Sequence, residues 1–211
     1  MYILLILTAV IFTSVFLTIT AEYSNRRLLV YIFKPLTTSL IILVAFGFSE
    51  NIDPFYQSMI VLGLCFSLAG DVFLMLPSDR FIPGLVSFLI AHLFYIAAFS
   101  IGIEPVNSIW LPAVFMIYAI VLLQVLAPHL GRMKFPVLVY ATIIAIMGWQ
   151  AVERWLQIAE TGALLAMLGA VSFIVSDSAL AYDRFVRKFK SARAMVLITY
   201  FLAQWLIALS A

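Results

Sequence analysis

The sequence predicts an all-α integral membrane protein, eight transmembrane helices in one bundle, on three observations. Hydrophobic residues fill 65% of the 211 positions and charged residues only 10%, whereas soluble domains are roughly half apolar and a quarter charged. Charges, prolines and glycines cluster so as to cut the chain into eight apolar runs, each near the roughly 20 helical residues that cross a hydrocarbon core of about 30 Å. Lysine and arginine then fall in alternate connections, the pattern of a chain that crosses a membrane repeatedly. The connections are short and leave no room for a soluble domain, so a single transmembrane domain over 1–211 is expected.

Taken in order, the run 2–21 lacks the basic flank and small-residue cleavage site of a signal peptide and is long enough to span, so it reads as a retained helix. The second, 28–47, carries Lys34 and Pro35 near its start, and the third, 55–76, carries Asp71 near its end. The fourth, 81–102, has His92 near its middle; the fifth, 109–126, has no charge. The sixth, 135–151, is bounded by Lys134 and Glu153 and is one of the shortest. The seventh, 162–182, contains Asp177, and the eighth, 194–209, contains Tyr200 and Gln204. The one cysteine, Cys65, lies mid-run, which excludes a disulfide framework and reads as inert packing. Glu50, Asp53, Glu104 and Glu160 read as solvated loop residues, and the four tryptophans as interfacial anchors.

Connections after odd-numbered runs hold Arg26, Arg27, Arg80, Arg132, Lys134, Arg184, Arg187, Lys188, Lys190 and Arg193; those after even-numbered runs hold only Arg154. Cytoplasmic loops retain positive charge, so both termini are expected to face away from the cytoplasm of a bacterial inner membrane. A net charge of +2 gives no reason to invoke nucleic acid as a partner.

Charged groups inside spanning helices are costly and usually mark function. Here Lys34, Asp71, His92 and Asp177 all fall at mid-membrane or toward the cytoplasmic side, an arrangement that points to one shared pocket. A faint internal repeat supports the grouping. Lys34 and Pro35 match Lys134 and Pro136, Gly70–Asp71–Leu74 match Ser176–Asp177–Leu180, and His92–Tyr95 match Gln204–Ile207. Such spacings describe a parallel four-helix repeat with its site between the halves.

Helical spacing puts Ser67, Leu74 and Ser78 on the face of Asp71, and Ala170, Phe173 and Ala181 on that of Asp177. Two buried carboxylates suit acid and base work, one holding its proton through burial and the other ionised by a neighbour such as Lys34. The competing structural reading has Lys34 and Arg80 neutralise two buried acids and hold the bundle together. His92 carries an aromatic ridge of Phe88, Tyr95 and Phe99. Tyr95, Tyr140 and Tyr200 are deep enough to need hydrogen-bond partners, Tyr200 and Gln204 make one polar edge, and Tyr31 lies near a helix end. His92, Asp71 and Asp177 offer three metal ligands in principle, but no local spacing of a zinc motif accompanies them, so neither metal nor cofactor is expected. The GxSxG elbow, Walker loop, HExxH and dinucleotide glycine patterns are missing, which leaves serine hydrolysis, NTP hydrolysis and hydride transfer without support.

The segments KPLTT at 34–38, GDVFLML at 70–76, FIPGLVSFLIAHLFY at 81–95, GAVSFIVSDSALAYDRF at 169–185 and YFLAQWLI at 200–207 resemble those of the YhhN family of membrane proteins, which includes lysoplasmalogenases. The resemblance covers nearly the whole chain. It implies hydrolysis of the vinyl ether bond of a lysoplasmalogen to a fatty aldehyde and glycerophosphoethanolamine or glycerophosphocholine. On that expectation Asp71 and Asp177 are the catalytic pair. Lys34 tunes one of them or meets the phosphate, and His92, Tyr95, Tyr200, Gln204, Tyr31 and Arg80 contact substrate, a lysophospholipid taken from the surrounding membrane lipid. The competing class is a proton-coupled transporter of a small molecule or lipid, which also uses buried acids and repeats. A third is a noncatalytic protein whose polar residues only assemble the bundle.

Overall fold

The computed structural model describes residues 2–47, 53–104 and 108–211, and these contain eight helices long and apolar enough to span a membrane. They are α1 (Tyr2–Tyr23), α2 (Arg27–Gly47), α3 (Pro54–Met75), α4 (Phe81–Phe99), α5 (Trp110–Leu126), α6 (Lys134–Ile158), α7 (Thr161–Ala181) and α8 (Ala192–Leu209). Two short 3-10 turns link α5 to α6, and α7 runs on into a π turn at Tyr182–Val186. Glu50, expected in a loop, lies outside the described residues.

Each boundary has a local cause. Asp53 is a helix cap as well as a loop residue: its Oδ1 accepts from the amides of Phe55 at 2.7 Å and Tyr56 at 3.2 Å, and Pro54 follows at the first helical position, where a missing N–H costs nothing. Between α1 and α2 the chain turns through Asn25 at φ 52°, a left-handed conformation that asparagine tolerates better than most residues.

The sixth helix corrects the sequence reading. Rather than one of the shortest it is the longest, with 25 residues, and it carries Glu153 and Arg154 inside it. Those charges looked like a boundary because they interrupt an apolar run, but both are satisfied within the bundle. Glu153, fully buried, accepts from Gln157 at 3.0 Å, the Ser108 amide at 3.2 Å and Trp149 at 3.4 Å. Arg154 donates to the Ile101 carbonyl and lies over the Tyr56 ring. The helix ends instead at Ala159, at φ 53°.

Neighbouring helices pack in chain order, and the order repeats. α1 meets α2, α2 meets α3 and α3 meets α4, as α5 meets α6, α6 meets α7 and α7 meets α8; across the centre α4 lies against α6 and α8 against α2. The second half thus reuses the packing plan of the first. The two tightest pairs, α3 with α4 and α7 with α8, close on glycines. A β-carbon added at Gly70 would stand 2.6 Å from the Phe88 ring, and one at Gly169 would stand 2.9 Å from the Ala203 carbonyl. Small residues let helix backbones approach where lipid supplies no hydrophobic drive. Because the Ala203 carbonyl belongs to backbone and cannot swing aside, Gly169→Leu is expected to cost about 1–3 kcal/mol through overpacking. A lower melting temperature of the detergent-solubilised protein checks this.

The outward faces are apolar. Ile3, Ile6, Phe12 and Phe16 of α1 and Val114, Met116, Ile117 and Ile120 of α5 are exposed, a surface far larger than a soluble monomer displays and suited to lipid. Cys65 corrects a second expectation: it faces outward rather than packing inside, because Leu64, Ser67 and Asp71 take the inner face of α3.

Candidate active site

The last turns of α3 and α7 and the first turns of α2, α4, α6 and α8 lie at the end of the bundle bearing the basic connections. There α3 brings Asp71 inward with 1% of its side chain exposed, and α2 presents Lys34 to it at 3.1 Å. The other carboxylate oxygen accepts from Thr38 Oγ1 and from the Tyr200 hydroxyl, each at 2.7 Å. An ion pair from which water is excluded needs such further hydrogen bonds to offset desolvation. The chain of contacts continues: Gln204 Nε2 donates to the Tyr200 oxygen at 3.1 Å, the Tyr95 hydroxyl donates to Gln204 Oε1 at 2.8 Å, and Ser67 Oγ lies 3.4 Å from Tyr95. Five sequence-predicted residues, Lys34, Asp71, Tyr95, Tyr200 and Gln204, therefore form one network drawn from α2, α3, α4 and α8.

Asp177 is not part of it. It is half-buried on α7, and its carboxylate accepts a hydrogen bond from the Tyr140 hydroxyl of α6. Lys34 precedes Tyr140 by the same interval that separates Asp71 from Asp177, so the two halves place a partner at the same station. In the first half that partner is a cation, in the second a phenol. Among the described residues no lysine or arginine pairs with Asp177.

Asp177 lines a narrow cavity between α4, α5, α6 and α7. Its walls are apolar, with Phe81, Leu85, Phe88, Leu122, Val137 and Ile144 among them; the polar groups are Asp177, Ser178, Tyr118 and Tyr140. Apolar walls with a few polar groups are the makeup that small-molecule sites share. Asp71 does not line it. Phe88 and Phe173, each packed edge-on against the Tyr200 ring at 5.8 and 5.6 Å, stand beside the Asp71 network.

His92 joins the two clusters. Fully buried, its ring centre lies 5.3 Å from that of Tyr140, 4.7 Å from Phe173 and 6.3 Å from Tyr95, and among the described residues neither nitrogen has a hydrogen-bond partner. A buried polar atom without a partner calls for an explanation, such as a catalytic role or a water held there.

Two predicted residues fall elsewhere. Arg80 is exposed on the α3–α4 connection and donates from Nε to Ser78 at 3.2 Å; the expectation that it neutralises a second buried acid fails, since Asp177 takes a hydroxyl instead. Tyr31 lines a separate polar recess of about 710 Å³ with Asn25, Arg27 and Arg193. That recess shares Leu74 with the cavity of Asp177, so one side chain stands between them. Among the described residues no three His, Cys, Asp or Glu side chains gather as a metal site would require.

The YhhN family model matches residues 29–211. The chain belongs to the YhhN family. It is 27% identical over 201 residues to the uncharacterized membrane protein YhhN of Escherichia coli O6:H1, covering 93% of this chain and 94% of that one. It is also 34% identical over 189 residues to lysoplasmalogenase TMEM86A of Bos taurus, covering 84% and 75%. With human lysoplasmalogenase TMEM86B the identity is 33% over 184 residues, covering 85% and 75%. No solved structure matches the chain.

Within this YhhN-family chain, sequence reasoning passed over Thr38, Tyr118 and Ser178. Thr38 stands one helical turn from Lys34, a spacing that could have been used. Tyr118 gave no signal, because a tyrosine in a run without charges looks like any lipid-facing aromatic.

Proposed function

We propose that this protein is a membrane hydrolase that cleaves the vinyl ether bond of lysoplasmalogens, releasing a fatty aldehyde and glycerophosphoethanolamine or glycerophosphocholine. The observation that carries the reading is Asp177, a carboxyl with a hydroxyl partner and no cation, set in the wall of an apolar cavity. The lysoplasmalogenase relatives at about 34% identity point to the same chemistry.

A vinyl ether opens when its β-carbon takes a proton. The Asp177 carboxyl supplies that proton, the C=C electrons form the new C–H bond, and an oxocarbenium ion results. Water adds to the cationic carbon and returns a proton to the Asp177 carboxylate, and the hemiacetal collapses to aldehyde and glycerol alcohol. One water is consumed and Asp177 ends as it began, acid first and base second. The aliphatic chain occupies the cavity. His92, with two unmet nitrogens one ring away, holds the water. The phosphate lies toward the recess of Arg27, Tyr31 and Arg193 past Leu74, at the end that faces the cytoplasm by the distribution of basic residues. Asp71, held by Lys34 and two hydroxyls, anchors the helices that carry Tyr200, Tyr95 and His92.

Purified protein incubated with a panel of lysolipids, assayed separately for aldehyde, free fatty acid and released head group, tests the reading. Aldehyde without fatty acid is expected from alkenyl lysolipids. Fatty acid would redirect the chemistry to esters, and proton-dependent solute uptake by proteoliposomes with no hydrolysis would replace the enzyme by a transporter.

A further inference from the structure

On the lipid-facing side of the bundle a second apolar hollow of about 930 Å³ lies between α5, α7 and the start of α8, lined by Ile174, Val175, Ala179, Tyr182 and Met195. It also touches Tyr118, Leu122 and Ser178, and these same three residues line the cavity of Asp177 from the other side. The two spaces share a wall made of these three side chains. We propose that this wall is a lateral portal, and that the outer hollow is the docking site for the aliphatic chain of a single-chain lipid moving from the bilayer to Asp177. The proposal rests on the lysolipid reading given above for the class of ligand, and on the following geometry for the route.

First, the wall is thin where the packing is weakest. Only Leu111, Ala119 and Leu126 of α5 are buried; the helix packs on α6 and on the turn after α7 but scarcely on α7 itself. Displacing a peripheral helix into lipid exposes its apolar side chains to a solvent as apolar as they are. Second, the wall is closed by a hydrogen bond whose opening leaves only the Tyr118 side without its partner. Ser178 donates its own hydrogen to the Ile174 carbonyl at 2.7 Å, so the bond across the gap, at 2.8 Å, is donated by the Tyr118 hydroxyl. When α5 swings out Ser178 keeps its partner. Third, the route from the loop end is plugged. Arg184 pairs with Asp79 at 2.9 Å and stacks over the Phe81 ring at 3.9 Å, Phe81 meets Phe185 at 5.7 Å, and Leu126, Leu130 and Val137 pack together beside them. A chain held by the bilayer has the side route open to it without passing through water.

The test uses the full chain in lipid vesicles. In a Cys65→Ser background, which removes the one native thiol, Tyr118→Cys and Ser178→Cys are joined across the gap by a short reducible bifunctional methanethiosulfonate. Loss of aldehyde release from a lysoplasmalogen on cross-linking, with recovery on reduction, is the expected result; equal rates in the linked and reduced protein would overturn the portal. A lysophosphatidylethanolamine bearing a diazirine at its chain end supplies a readout independent of turnover. Its label is expected on α5 and α7 around Leu122 and Val175 in the reduced protein, and to be lost from the inner cavity in the linked one. Label on the α1 or α2 face instead would sink the portal whether or not hydrolysis occurs. Labelling at the portal in a protein that, with Tyr118 and Ser178 intact, releases no aldehyde would retain the portal and discard the proposed reaction.

Discussion

Asp177→Asn should lose aldehyde release almost completely, while the protein stays folded. An amide of the same shape keeps an acceptor for the Tyr140 hydroxyl and keeps the cavity wall closed, but it has no proton to give the vinyl ether carbon. General acid–base steps contribute typically about 10²–10⁴-fold, and here one group serves both halves of the reaction, so the fall should reach at least the upper part of that range. Unchanged helicity and melting temperature in detergent would separate lost chemistry from lost structure. Tyr140→Phe is the companion variant. It keeps the ring against His92 and removes one hydrogen bond, worth about 0.5–1.5 kcal/mol, so it should cost no more than about tenfold. Near-normal turnover in Asp177→Asn would dismiss Asp177 as the donor whatever Tyr140→Phe does.

The depth of each polar group could be read from the sequence, and its direction around the helix could not. Counting charges by connection puts Lys34, Asp71 and Asp177 at one end, where the helices carry them. What that count cannot give is rotation about each helix axis. In a soluble protein the polar face marks the outside, but spans that are apolar all round carry little such asymmetry. Two aspartates at matched depth therefore read as one facing pair. In the fold Asp71 turns toward α2 and α8, Asp177 toward α6 and the cavity, and His92 lies between them. Glu153 was lost for the opposite reason. A charge normally ends a span, and nothing local announces that Trp149, Gln157 and a loop amide will satisfy it. The repeat helps where periodicity fails, since the interval from Asp71 to Asp177, applied to Lys34, lands on Tyr140.

Asp71 should behave differently from Asp177, and Lys34 is the control that separates them. Asp71→Asn leaves the Lys34 ammonium, only 12% exposed, without its counter-charge, while Lys34→Met leaves a carboxylate that is 1% exposed with two hydroxyls and no cation. Removing one partner of a buried ion pair costs about 3–5 kcal/mol, whereas replacing the pair by uncharged groups of similar volume is often neutral. Each single variant should therefore melt well below the parent, and the double variant Lys34→Met with Asp71→Asn should recover most of the loss. Because Asp71 does not line the cavity, the double variant should also retain a measurable rate of aldehyde release, reduced by whatever looseness enters the Tyr200–Gln204–Tyr95 chain but far above that of Asp177→Asn. The outcome that would reverse these roles is a stable double variant with no turnover. Asp71 would then be needed as a charge close to the reacting carbon rather than as the anchor of four helices, and the cavity wall at Phe88 would have to open toward it during the reaction.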